Sequence, residues 1–132
     1  MRLNVALTLI PLFAGAVALA TEPAAPATSY ARDIEPVFLK ACGDCHGTDK
    51  PKKGLVLSAG RGFGDLVGKP STEVPTMELV KPGEPDASYL WHKLTHTAKE
   101  GKGMPRTLFG SKRLPQADLD LVEQWIKDGA QP

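Results

Sequence analysis

Cys42 and Cys45 stand three positions apart, and His46 follows at once. The pentapeptide Cys42-Gly43-Asp44-Cys45-His46 has the C-x-x-C-H spacing of a c-type haem attachment site. Two thiols at this separation reach the vinyl groups on adjacent edges of a porphyrin, and the next residue aims its imidazole at the iron from the same turn. Thioether bonds then hold one haem c permanently, and neutral His46 becomes an axial metal ligand. Three other chemistries use such a pair. A thioredoxin-like dithiol belongs in a βαβ setting, which the surrounding pattern lacks. A zinc site needs four ligands; no second cysteine pair exists, and His92 and His96 would have to complete it. A Cys42–Cys45 disulfide is sterically possible but leaves His46 without a role.

The opposite axial position has four candidates beyond the leader: Met77, His92, His96 and Met104. Met104 lies between Gly103 and Pro105, a pairing that frees and then stiffens the backbone, which suits a thioether presented at fixed distance. Met77 reads as packing at a loop edge. His92 and His96 share a helical face with Lys93, read as solvated. An iron with no sixth protein ligand is the remaining case. The choice decides the chemistry: His/Met ligation closes the iron and leaves one-electron transfer, whereas an open position admits a gas.

The elements that must position these residues are helical. Ser29 is placed to cap a helix that starts near Tyr30, with Asp33 and Glu35 in its first turns. Ile34, Val37, Phe38 and Ala41 carry one apolar face directly into Cys42. Pro36 is tolerable only in a first turn. Leu55-Val56-Leu57 is too short for an independent element, and one helical turn is expected around Phe63–Val67. A second clear helix starts at Asp86 or Ser88, carries Leu90, Trp91 and Leu94, and runs to near Thr97, with Gly101 and Gly103 as breakers. The last helix begins around Pro115, carries Leu119, Val122 and Ile126 beside Leu121 and Trp125, and stops before Gly129. Period-two alternation is nearly absent, so the expected fold is all-α. Phe38, Leu39, Leu55, Leu57, Leu90, Trp91, Leu94, Leu114, Leu121 and Trp125 are the candidate apolar lining of the haem crevice.

Length allows one domain, and 12 prolines with 13 glycines among 132 residues call for short helices joined by many loops. Residues 1–20 read as a signal peptide: Arg2, then an apolar run, then the small-x-small site Ala18-Leu19-Ala20. An uncleaved anchor is the competing reading of the same stretch. Residues 21–29 form a small, Pro-rich flexible linker, and residues 30–132 form the domain. The expected location is periplasmic. Without Arg2 the 16 basic side chains fall level with the 15 acidic ones. Overall charge therefore points neither to nucleic acid nor to an anionic membrane. Locally it is uneven: Lys93, Lys99, Lys102, Arg106, Lys112 and Arg113 face a single acid, Glu100, and Lys50, Lys52 and Lys53 follow the haem motif. Such a ring would steer an acidic redox partner. Arg61 reads as an exposed loop residue in preference to a partner for a haem propionate.

Ile34-Glu35-Pro36-Val37-Phe38, Cys42–Gly47, Lys53-Gly54-Leu55, Pro82-Gly83-Glu84-Pro85-Asp86-Ala87-Ser88, Met104-Pro105 and Trp125-Ile126-Lys127-Asp128-Gly129-Ala130 together resemble class I cytochrome c. The likeness is nearest to the planctomycete-type cytochrome c domains and spans residues 30–132. Arg106 stands where that type commonly has a second proline. The resemblance implies a small fold of three to five short helices around one haem. It also implies a ligand Met on a loop ahead of the last helix, the place of Met104. The expected function is an exported one-electron carrier, not an enzyme, working with redox proteins. Membrane contact would come only through a redox complex or an uncleaved leader. The alternative is a haem subunit of a fixed redox complex, or a gas-binding haem sensor.

Overall fold

The first helix begins where Ser29 accepts a hydrogen bond from the Arg32 amide through its Oγ, at 3.3 Å. It opens as a π-helical turn, Tyr30–Ile34, and continues as α1, Glu35–His46. Pro36 explains the wide turn. It has no N–H to donate to a carbonyl four residues back, and the Glu35 amide before it reaches the Tyr30 carbonyl, five back. The strain of a proline near the helix start is thus absorbed in one π turn. The computed structural model describes residues 26–58 and 60–132. The expected signal peptide, residues 1–20, lies outside them, as do residues 21–25 of the expected linker. Ser29 belongs to the domain: it forms an isolated bridge with Gln131, and the Tyr30 amide donates to the Gln131 carbonyl at 2.9 Å.

Three further α-helices follow: α2, Gly62–Leu66; α3, Tyr89–Thr95; and α4, Gln116–Lys127. Pro115 is the residue before α4, not inside its first turn. Ser88 occupies the cap position of α3 but does not cap it with its side chain. Its Oγ instead accepts from the Lys81 amide and donates to the Glu84 carbonyl, each at 2.8 Å, tying the Pro-rich connection to the helix start. α3 ends earlier than the glycines suggest. His96 itself adopts the left-handed conformation (φ 61°, ψ 31°) and closes the helix.

The fold is mostly helical but not all-α. Arg106–Thr107 (β1) and Gly110–Ser111 (β2) pair antiparallel, in register Arg106↔Ser111 and Thr107↔Gly110. Two-residue strands are too short to leave an alternation in the sequence. Among the described residues no helix is long and apolar enough to cross a membrane.

The core forms where α4 packs on the first helix. Trp125 is wholly buried against Tyr30, their rings 5.6 Å apart, and Tyr30 also meets Phe38 and Phe63 edge-on. Ile34, Leu66, Val80, Val122 and Ile126 complete it. Gly62 is obligatory at this point: a Cβ there would fall onto the Tyr30 hydroxyl. That hydroxyl donates to the Leu57 carbonyl at 3.0 Å, satisfying a polar group that burial would otherwise leave unpaired.

Candidate functional site

α1 delivers Cys42, Cys45 and His46 on its last turn, and the chain then doubles back. Gly47 permits that exit, because a Cβ there would lie 2.7 Å from the Gly43 carbonyl oxygen. The returning segment Leu55–Leu57 runs along the helix end. The Leu57 amide donates to the His46 carbonyl at 2.8 Å, and His46 Nδ1 lies 3.2 Å from the Leu55 carbonyl oxygen. A carbonyl only accepts, so Nδ1 is the donor in this bond, and Nε2 is the ring nitrogen it leaves free. The segment is itself held from behind by the Tyr30 hydroxyl on Leu57 and by Asp65 on the Val56 amide. His46 is therefore a preset donor.

Beside it opens a cavity of about 760 Å³, within the size range of small-molecule and cofactor sites. α1 contributes Ala41, Cys42, Cys45 and His46 to its walls, and the returning segment contributes Leu55 and Leu57. Leu79, Tyr89, Leu90, Lys93 and Leu94 form another wall, and the stretch Met104–Leu108 closes it. Cys42 is half-buried and Cys45 exposed, and neither is in a disulfide. Burial, with Cys45 adding, pushes the Cys42 thiol up to about 11. Reactive dithiols lie in surroundings that favour the thiolate; Cys42 lies in the opposite kind. A tetrahedral zinc ion would need further donors beside the cysteines, and among the described residues no three His, Cys, Asp or Glu side chains converge.

Of the four candidates for a second axial donor, Met104 alone lines this cavity. Met77 does not. His92 has both nitrogens engaged, Nδ1 with Thr97 Oγ1 at 2.9 Å and Nε2 with the Asp86 carbonyl at 2.8 Å. His96 uses Nε2 to donate to the carbonyl of Met104 itself, at 3.0 Å. The loop is pinned at three more places: the Met104 amide on Lys93 O at 2.9 Å, Ser111 Oγ on Gly103 O at 2.7 Å, and the Lys112 amide on Pro105 O at 3.0 Å. Gly103 lets the His96 ring pack flat on the loop, since a Cβ would come within 2.5 Å of it.

The chain matches no protein-family model, no curated protein and no solved structure.

Several expected lining residues stand elsewhere. Leu55, Leu57, Leu90 and Leu94 line the cavity, but Phe38, Leu114 and Trp125 lie in the core behind it. Trp91 and Leu121 pack against that core, and Leu39 is half-exposed. Apolar spacing marks a buried face without saying which layer it enters. Arg61 is away from the cavity and pairs with Asp65 at 3.5 Å, as an exposed loop arginine does.

Lys93 is the clearest correction. It is 6 % exposed and does not share the surface of His92 and His96. Its Nζ meets Glu73 Oε2 at 2.5 Å and lies 5.1 Å from the centre of the Tyr89 ring. The Tyr89 hydroxyl donates to the same Glu73 oxygen at 2.7 Å. The hydrogen bonds from Lys93 and then Tyr89 hold the Glu73 carboxyl below its ordinary range, while burial and then Glu73 push Tyr89 up. Glu73 and Tyr89 carried no motif. The only signal is a lysine directly beside Leu94, three residues after Leu90 and so next to the apolar stripe of α3.

Proposed function

We propose that this chain is an exported monohaem c-type cytochrome that passes single electrons, with His46 and Met104 as the axial ligands. The observation that supports it is a convergence on one cavity. Two thiols at attachment spacing, a histidine with Nδ1 occupied and Nε2 free, and one thioether all line the same 760 Å³ of mostly apolar space. The donor set fits a haem: two thiols, an imidazole nitrogen and a thioether sulfur in the walls of one cavity. Cys42 and Cys45 would hold it covalently, through thioether bonds. The Leu55 carbonyl holds the His46 ring in place through Nδ1. Met104, its loop held by Lys93, His96 and Ser111, would supply a second ligand and so leave O₂ and peroxide no site. Leu57, Leu90 and Leu94 keep water out, and Lys52, Lys53 and Arg106 on the rim offer counter-charge to acid groups. When bound, the haem supplies a one-electron iron couple and no bond chemistry.

The test is Met104→Ala in the periplasmic protein. We expect a changed visible spectrum, a lower reduction potential and new binding of CO. A variant with the spectrum and potential of the parent would remove Met104 from the site.

A further inference from the structure

Leu108 and Phe109 are 97 % and 100 % exposed, the extreme among the large apolar side chains of the described residues. They form the tip of the β1–β2 hairpin. Neither has a positive φ, so the turn geometry does not call for them and polar residues would serve as well. They contribute nothing to the core. The hairpin that carries them is rigid at its base, where Ser111 Oγ bonds the Gly103 carbonyl and receives Arg106 Nη1. Lys99, Lys102, Arg106, Lys112 and Arg113 are exposed nearby in the chain, and none of them is in an ion pair among the described residues. Leu108 also borders the cavity, next to the Met104 loop.

We propose that this tip is the anchor of a docking surface for a redox protein that offers an apolar recess rimmed by carboxylates. This rests on the electron-carrier reading of the cavity. An aromatic–aliphatic pair set among unpaired cations is the composition of an interface hot spot with a steering rim. A protein occupant is favoured over a lipid surface because the tip adjoins the cavity. A protein seated there lies beside the cavity and can exchange an electron with it, whereas a bilayer offers no acceptor at that face.

The experiment uses the holoprotein on gold electrodes coated with carboxylate-terminated thiols alone or mixed with methyl-terminated thiols. Electron-exchange rate and adsorbed mass are both read. The parent should exchange at least tenfold faster, and adsorb more, on the mixed layer. Phe109→Ser should lose that gain while matching the parent on the pure carboxylate layer, and Lys112→Gln with Arg113→Gln should be slower on both. Equal behaviour of the parent on the two layers, or a gain that survives Phe109→Ser, overturns the proposal. So does Phe109-dependent binding to phosphatidylglycerol vesicles without a gain on the mixed layer, which would assign the tip to lipid. A parent protein with no haem spectrum and no redox wave would overturn the carrier reading instead.

Discussion

Replacing Glu73 with Gln should destabilise the protein by about 2–3 kcal/mol, through the charge it leaves behind. Lys93 is almost fully buried, and its Nζ meets Glu73 Oε2 at 2.5 Å. At this separation and an effective dielectric of about 20 the attraction is roughly 7 kcal/mol, most of it offset by the desolvation of both ions. Removing one partner of a buried pair costs about 3–5 kcal/mol. The Glu73 side chain is 30 % exposed, so water reaches the site and the lower end is expected. Gln keeps an acceptor for the Tyr89 hydroxyl, so the substitution isolates the charge. For a domain of this size the loss lowers Tm by roughly 10 °C. Glu73→Gln with Lys93→Met should recover most of it, because the stranded ammonium is gone. The pH dependence has a definite sign. The folded Glu73 titrates below its ordinary 4.5, so its stabilisation is full above the unfolded value and fades as pH falls through the folded one. The variant should therefore show a shallower acid limb. Urea unfolding of the holoprotein, followed by far-ultraviolet circular dichroism across pH, measures each quantity. A single variant within about 0.5 kcal/mol of the parent, with no coupling in the double-mutant cycle, would refute the reasoning.

Gly62→Ala should cost about 2–4 kcal/mol in urea unfolding, since the new methyl displaces Tyr30, overpacks the aromatic cluster and breaks the bond to Leu57. Gly103→Ala should shift the loop that carries Met104 while sparing global stability to within about 1 kcal/mol, because the loop lies outside the core. Its readout is the visible spectrum and CO binding of the holoprotein, moving in the direction of Met104→Ala; an unchanged spectrum would show that His96 packing does not hold Met104.

How much could be read in advance follows from the range of each interaction. The C-x-x-C-H pentapeptide lies within five consecutive residues, and the Gly103-Met104-Pro105 loop announces itself through backbone chemistry. α1 and α4 follow from local periodicity. Lys93 was misplaced because its partner, Glu73, is 20 residues earlier in a segment with no regular structure, so no spacing rule links them. The same limit applies to Tyr89, which is defined by what it touches. Phe38 and Trp125 were rightly apolar but wrongly layered: a helix stripe specifies burial, not whether the neighbour is a cavity or another helix. The Leu55–Leu57 run is too short to form an element of its own, and its apolar residues mark only cavity lining. Its weight comes from two carbonyls, Leu55 toward His46 and Leu57 toward Tyr30, and backbone carbonyls leave no trace in side-chain patterns.

The Gln131 carbonyl accepts from both the Tyr30 amide, at 2.9 Å, and Trp125 Nε1, at 2.8 Å. One peptide unit near the end of the described chain thus clasps the first helix to the last. Contacts that span nearly the whole domain form late, after the loop between them has closed. Until that clasp closes, the Tyr30 amide and the Trp125 indole both lack their shared acceptor, so a single peptide unit sets the seating of the first helix and the last at once.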